Sequence, residues 1–116
     1  PGELLTIGAV AWITSVIAFA FWYWHLDRGG PAARARGVST VRPAFRFPED
    51  ELADVVGPHW FPQFLDYFAL SFNTSTAFSP TDVSAIRHWS KLMLILESAI
   101  SLTLIGLVVA RAVNVL

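Results

Sequence analysis

The sequence predicts an all-α integral membrane protein in which two transmembrane helices flank a re-entrant helix and loop. Two long apolar runs predict the spans, and a third run between them, Phe64 to Asp82, is apolar but too short to cross a bilayer. Half-length apolar segments of membrane proteins tend to be re-entrant or interfacial. Irregular backbone at membrane depth is tolerated only where protein or a water-filled cavity surrounds it, so we expect any functional site in this middle run.

The composition supports this class and excludes several others. Hydrophobic residues make up 54% of the chain and charged residues 15%, whereas soluble domains contain about 25% charged residues. Eight basic and nine acidic residues nearly cancel, so no nucleic-acid partner is expected. The absence of cysteine excludes disulfides and thiolate metal sites. No nucleophile motif, phosphate loop, paired carboxylate or metal-ligand spacing appears, so we predict no enzyme activity, no catalytic residue and no metal site.

The first predicted span is 4–26, an uncharged run that reaches about 34 Å at about 1.5 Å per residue, enough to cross a bilayer core. A signal peptide is the alternative, but the run is too long for the apolar part of one and no basic segment precedes it. Asp27 to Pro31 ends the helix, because glycine caps it and proline cannot continue it. An aromatic belt marks the expected bilayer exit: Phe19, Phe21, Trp22, Tyr23 and Trp24.

The second predicted span is 92–114. Its apolar part, Leu92 to Ala110, contains one charged residue, a glutamate, and reaches about 28 Å. Arg111 follows this part and can extend its charged group to the membrane interface. Small residues in this run predict close approach of a neighbouring helix: Ser98, Ser101 and Gly106.

Residues 27–60 form a predicted extramembrane loop without a lasting helical or strand period. Prolines interrupt it, and four arginines precede an acidic cluster: Arg34, Arg36, Arg42 and Arg46, then Glu49, Asp50, Glu51 and Asp54. Long loops are usually functional or disordered. A solvated surface loop is one interpretation, and a cover over a pore mouth or a contact between subunits is the other.

The middle segment, 61–82, should begin as a short helix after Pro62 and end in polar residues. A helix C-terminus carries partial negative charge and free carbonyls, so such an end in a watery cavity at mid-membrane would attract cations. An amphipathic helix lying on the membrane surface is the alternative.

The run D-Y-F-A-L-S-F-N-T-S-T-A-F-S-P-T-D at residues 66–82 resembles the pore helix and filter of the two-transmembrane potassium-channel superfamily. A typical run there has an acidic residue, an aromatic-rich helix ending S-F, and T-x-T-T-V-G-Y-G-D. The register needs no gap: Thr74 and Thr76 fall on two of the threonines and Asp82 on the aspartate. Residues 94–113 resemble the inner helix of the same superfamily, and their sequence is L-I-L-E-S-A-I-S-L-T-L-I-G-L-V-V-A-R-A-V. The chain is also similar to an uncharacterised group of bacterial membrane proteins with recurring W-Y-W-x-L-D-R-G-G-P and A-F-S-P-T-D.

The departure from the superfamily is at the filter, where its glycines are missing. Ser79 and Thr81 would reach positive φ only at a cost, and Pro80 fixes φ near −65° and removes a donor. Potassium selectivity is therefore not carried over. The resemblance implies a channel-like pore module whose ion pathway and filter-like positions are Thr74, Ser75, Thr76, Ala77, Phe78, Ser79 and Asp82.

A capping box is an alternative interpretation of Ser79 to Asp82, with serine as the cap and proline at the first helical position. The second helix would then begin near Pro80, run along the interface over 83–91, and enter the membrane near Lys91. Asp82 would be a cap and not an ion ligand.

Glu97 is the one acidic residue inside a predicted span. Intramembrane carboxylates are costly and usually face the bundle interior or a cavity. One interpretation is a pore-lining, proton-binding or ion-coordinating group. The other, which we prefer, is a protonated or hydrogen-bonded acid that holds the pore helix against the second span.

We therefore expect a cation channel or channel-like pore with a glycine-free filter, in a bacterial inner membrane. Its partners would be the lipid bilayer and copies of itself, a homotetramer as the resemblance implies, with no cofactor other than monovalent cations in the pore. A non-conducting scaffold subunit that reuses the channel fold is the alternative. The resemblance places 27–60 outside, although the charge rule favours the cytoplasm. Because Pro1 is not methionine, we expect a fragment of a longer chain.

Overall fold

The computed structural model describes residues 2–37, 42–77 and 82–115, and most of them are helical. In chain order the elements are α1 (Gly2–Leu26), a 3-10 turn (Asp27–Gly29), α2 (Pro31–Arg36), β1 (Phe45–Arg46), a second 3-10 turn (Pro48–Glu51), α3 (Ala53–Val56), α4 (Phe64–Ala77), β2 (Ser84–Ala85) and α5 (His88–Val115).

Helices α1 and α5 pack as an antiparallel pair, and both are long and apolar enough to cross a membrane. Tyr23 meets Glu97 towards one end of the pair, and Gly8 lies against Val108 towards the other. Only 17% and 11% of their most apolar windows are buried, so most of their apolar side chains face outward. The prediction of two membrane-length helices is therefore confirmed.

Helix α4 runs antiparallel to α1 and covers half of its length. The Phe64 ring lies 4.9 Å from that of Phe21, and the Phe72 ring lies 5.6 Å from that of Trp12. Its 14 residues correspond to about 21 Å. The Asp66 carboxylate accepts a hydrogen bond from the Gln63 amide at 2.8 Å and caps the first turn. The helix thus begins beside the C-terminal end of α1 and ends beside its middle.

The segment 27–60 is called the cap here, and its described residues, 27–37 and 42–60, form more secondary structure than the sequence predicts. They contain four short helical elements and β1, which pairs antiparallel with β2 in the register Phe45↔Ala85 and Arg46↔Ser84. The fold is therefore mostly helical with one short ladder, rather than purely α. Gly30, at φ 102°, and the proline after it end the α1 region as predicted.

The start of the second long helix differs from the alternative that placed it near Pro80. Helix α5 begins at His88, because the preceding residues are tied to the cap instead. The Ile86 amide donates to the Ala44 carbonyl at 2.8 Å, and the Ser90 hydroxyl donates to the same oxygen at 2.9 Å. Pro80 itself lies outside the described residues.

The core is an aromatic cluster where α1, α4 and the cap meet. Phe45 is fully buried, with its ring 5.1 Å from that of Tyr23 and 6.0 Å from that of Trp89. The buried members are Phe19, Tyr23, Ala44, Phe45, Phe47, Tyr67 and Leu70. Edge-on ring packing of this kind stabilises beyond area burial alone, so the cap is fixed onto the helices.

Candidate functional site

Glu97 lies at the junction of the three longest helices and is fully buried. The Tyr23 hydroxyl of α1 donates to Glu97 Oε1 at 2.7 Å. The Ser75 hydroxyl of α4 donates to Glu97 Oε2 at 2.8 Å. The Ser71 hydroxyl of α4 lies 2.5 Å from the same oxygen and 2.7 Å from the Val16 carbonyl, so these two acceptors share its one proton. Both carboxylate oxygens therefore have hydrogen-bond partners, which is what a buried acid requires.

These contacts correspond to the interpretation of Glu97 as an acid that holds the half-length helix in place. Its partners sit on α1 and α4, while Glu97 itself sits on α5. In the described part of the chain, no basic side chain forms a salt bridge with it. The hydroxyl groups are therefore what compensates for its removal from water.

A second polar link lies one turn further along, at the end of α4. The Trp12 indole nitrogen donates to the Ser101 hydroxyl oxygen at 2.9 Å, and that hydroxyl donates to the Ser75 carbonyl at 2.6 Å. The last four carbonyls of a helix have no partner within the helix. The chain of two hydrogen bonds thus satisfies one terminal carbonyl of α4 from both long helices.

The residues predicted to line an ion pathway are placed differently from one another. Thr74 is buried and donates to the Leu70 carbonyl at 2.7 Å, while Thr76 is exposed and donates to the Phe72 carbonyl at 2.9 Å. Ser75 points to Glu97. Ala77 is the last residue of α4, and Phe78 and Ser79 lie outside the described residues.

In the part of the chain that the structure describes, no hydrogen bond joins Asp82 to Thr74, Ser75 or Thr76. Asp82 is exposed and precedes β2, which is paired with the cap. Ser75 and Glu97, by contrast, are in direct contact. That the predicted positions other than Ser75 line an ion pathway stays a prediction.

One face of α4 is largely exposed, although the Phe72 ring on it packs edge-on against Trp12 of α1. Its members recur at helical spacing, and Leu65 is 74% exposed and Phe72 43% exposed. The exposed positions are Leu65, Ala69, Phe72, Asn73 and Thr76. The face is thus apolar along most of its length and polar at its inner end.

Asp27, which the sequence marks only as the end of a helix, is a buried carboxylate. The Tyr67 hydroxyl donates to its Oδ2 at 2.5 Å, the Ala44 amide donates to its Oδ1 at 2.8 Å, and Arg28 Nε lies 3.4 Å from Oδ2. Burial, and then the nearby Asp27 carboxylate, raise the pKa of Tyr67. Asp27 therefore joins α1, α4 and the cap as Glu97 joins the helices.

Arg34 lies in the segment for which a solvated surface loop was one of two interpretations, yet it is only 4% exposed. It donates to the backbone carbonyls of Asp27 and, at 2.6 Å, of Trp24, and its guanidinium lies 4.9 Å from the centre of the Tyr67 ring. Burial lowers its pKa. The one feature of the sequence that indicates this burial is the position of Arg34 shortly after the end of a helix, where an arginine can bind the free carbonyls of that helix.

Comparison of the chain with protein-family models, with curated proteins and with solved structures finds no match. In the described residues, no group of three or more histidine, cysteine or acidic side chains could hold a metal ion. The polar clusters around Glu97 and Asp27 therefore stand as the candidate functional centres.

Proposed function

We propose that this protein is an integral membrane protein whose copies assemble around a cation-conducting pore. The observation that carries the proposal is the half-length α4, which lies between two membrane-length apolar helices and ends beside the middle of α1. In a bilayer, such a helix would enter the membrane without crossing it. Non-spanning segments at this depth are a recurring feature of selectivity filters and transport sites.

The electrostatics of α4 support cations rather than anions as the conducted species. Its C-terminal end is the end that lies deep between the long helices, and free carbonyls there carry partial negative charge. Ser101 donates to the Ser75 carbonyl. In the proposed pore, the carbonyls that follow at the end of α4 would face an ion or water. Because the filter-like residues contain no glycine, we propose a pore without potassium selectivity.

The exposed face of α4 supports assembly with copies of the chain. Apolar side chains at Leu65 and Phe72 would pack against a neighbouring copy, and polar Asn73 and Thr76 would lie nearest the shared axis. A closed ring satisfies every copy with the same contact. We propose a homotetramer in a bacterial inner membrane, with monovalent cations in the pore.

The test is cation flux through purified protein in liposomes of phosphatidylethanolamine and phosphatidylglycerol, measured separately for potassium and sodium. We expect flux above that of empty liposomes, changed severalfold by Thr76→Val. Thr6→Val is the matched control, because the exposed Thr6 hydroxyl makes the same bond to a carbonyl four residues earlier, at 3.0 Å, on α1. An intact oligomer that passes neither ion and is closed by Phe78 side chains would contradict the proposal.

A second candidate function, a non-conducting scaffold subunit, is favoured by one specific observation. The side chains of Thr74, Ser75 and Glu97 all find hydrogen-bond partners within the single chain. Polar groups satisfied in this way stabilise a fold without needing an ion. Oligomeric state separates the two candidates: a symmetric ring with α4 ends at its axis supports conduction, and single copies against unrelated subunits support a scaffold.

A further inference from the structure

A cavity beside the C-terminal end of α1 is lined by basic side chains. It has a volume of about 550 Å³ and lies between α2, with the turn after it, and residues 58–61, which lead into α4. Among the described residues, its lining includes no acidic side chain but three arginines and one histidine: Arg28, Arg34, Arg36 and His59. The volume is typical of sites for small ligands.

In the described residues, one of the three lining arginines, Arg28, is paired with carboxylates, and the other two form no salt bridge. Asp50 pairs with Arg28 at 2.6 Å, and Glu51 pairs with Arg46. Within the described ranges, neither Arg34 nor Arg36 forms a salt bridge with a carboxylate. The lining therefore carries positive charge that the protein does not fully balance.

Arg34 makes this imbalance more than a surface effect, because it is 4% exposed. Its terminal nitrogens bind backbone carbonyls, and the Tyr67 ring lies under its guanidinium. These dipoles and the ring compensate for part of its charge. Its Nε has no hydrogen-bond partner among the described residues. A buried cation beside a cavity projects its field into that cavity and attracts an anion.

Two exposed groups at the rim supply donors that a ligand can reach. Arg36 and His59 are both exposed, and Arg36 presents a planar guanidinium whose paired N–H groups match a phosphate. The lining also includes the aromatic residues Trp60 and Phe61. A ligand with both an anionic and an apolar part would use both kinds of surface.

The position of the cavity along α1 indicates where that ligand comes from. It lies next to the end of α1, where Trp22 is 49% exposed and Leu26 is 47% exposed. Exposed tryptophans mark the headgroup level of a bilayer, and basic pockets at that level bind anionic headgroups. We propose that the cavity binds a phosphate group, supplied by the phosphodiester headgroup of an anionic lipid, through Arg36 and His59. A soluble phosphate could satisfy the same donors, and the experiment separates the two sources.

The experiment measures the thermal midpoint of the purified chain in detergent while one probe is titrated. The probes are phosphatidylglycerol, phosphatidylcholine with the same acyl chains, and inorganic phosphate. A ligand that binds the folded state raises the midpoint. The variants are Arg36→Gln and His59→Gln. Arg87→Gln is the matched control, since Arg87 is exposed just before α5 and does not line the cavity.

We expect phosphatidylglycerol to raise the midpoint more than phosphatidylcholine, with about fivefold weaker apparent affinity in Arg36→Gln and unchanged affinity in Arg87→Gln. A rise with inorganic phosphate that Arg36→Gln also weakens supports the site but assigns it to a soluble anion. Equal responses in all variants, or no response to either phosphate source, would overturn the proposal. Binding is measured without flux, so this result is independent of whether the protein conducts ions.

Discussion

The Tyr23 hydroxyl donates a hydrogen bond of 2.7 Å to Glu97 Oε1 across 74 residues of sequence. It joins the two membrane-length helices at the level where α4 packs between them. Ser71 and Ser75 bind the other carboxylate oxygen. One acid thus fixes the relative positions of three helices, and its partners supply the groups to mutate.

Replacing Glu97 separates a neutral hydrogen-bonding role from a proton-relay or ion-binding role. Glu97→Gln keeps the shape and one acceptor oxygen for the serines, and the Tyr23 hydroxyl oxygen can accept from the new amide, so we expect little loss of stability. Glu97→Ala removes the acceptor of the Tyr23 and Ser75 hydroxyls, while Ser71 keeps the Val16 carbonyl at 2.7 Å. This change should lower the free energy of unfolding by roughly 2–3 kcal/mol. Denaturant unfolding in detergent measures both, with exposed Glu3→Ala as the control. A flux or activity abolished by Glu97→Gln while the fold is kept would instead show that the acid itself is required.

Tyr67→Phe should destabilise the junction between α4 and the cap. The change removes the 2.5 Å hydrogen bond to the fully buried Asp27 carboxylate. Hydrogen bonds to charged groups contribute more than neutral ones, so we expect a loss of about 2 kcal/mol. Equilibrium unfolding of the variant and the parent at neutral pH measures the difference. A difference near zero would show that Arg28 and the Ala44 amide satisfy Asp27 without Tyr67.

The same pair predicts a pH dependence in alkaline solution. Burial and the Asp27 carboxylate raise the pKa of Tyr67 above its ordinary value of 10.0. The folded state then holds the phenolic proton after the unfolded chain has lost it. The stability contributed by Tyr67 should therefore be constant below about pH 10 and fall as pH rises towards the folded pKa. The stability difference between parent and Tyr67→Phe, measured from pH 8 to 11, should shrink only in the upper part of that range.

Two glycines on the long helices should respond in opposite ways to alanine. A Cβ at Gly8 would lie 2.5 Å from Val108 Cγ2, whereas a Cβ at Gly106 would meet nothing within 4 Å. Valine has little rotamer freedom in a helix, so the clash at Gly8 forces the helices apart. We expect Gly8→Ala to destabilise by about 1–2 kcal/mol and Gly106→Ala to be neutral or stabilising by up to about 1 kcal/mol. Thermal unfolding of the two variants in parallel tests this, and equal effects would contradict the close approach at Gly8.

Ser101→Ala should loosen the inner end of α4. It removes the acceptor of the Trp12 indole and the donor to the Ser75 carbonyl. We expect faster hydrogen exchange in the last turn of α4 and little change in its first turn. Ser98→Ala, at a half-buried position one turn earlier on α5, serves as the control. Unchanged exchange throughout α4 would show that packing alone holds this end.

The sequence was informative where local composition decides the structure. The lengths of the apolar runs predicted the two long helices and the short one, because the length and hydropathy of a run depend only on its own residues. Glu97 was singled out because an acid in an apolar run is costly. Its partners Tyr23, Ser71 and Ser75 were not, because only the packing of three helices sets which side chains meet.

The remaining misses share this non-local origin. Gly106 was expected to allow close approach of a neighbouring helix, but a Cβ there would meet nothing within 4 Å. The rotation of the two long helices about their axes decides which residue faces the partner helix, and Gly8 is the glycine that lies against it. The cap was predicted as a loop because its sequence has no lasting helical or strand period. Its secondary structure depends instead on contacts between residues distant in sequence, such as Asp27 with the Ala44 amide and β1 with β2. The burial of Arg34 follows from the same contacts.

Because α4 ends beside the middle of α1, the described part of the molecule tapers from three packed helices beside the cap to two at the far end. In a bilayer, a body of this shape would displace more lipid from the leaflet on the cap side than from the opposite leaflet. Copies packed side by side through their wide halves would leave gaps between their narrow halves. Acyl chains would fill those gaps, so lipid shape and membrane curvature should influence how readily the copies assemble.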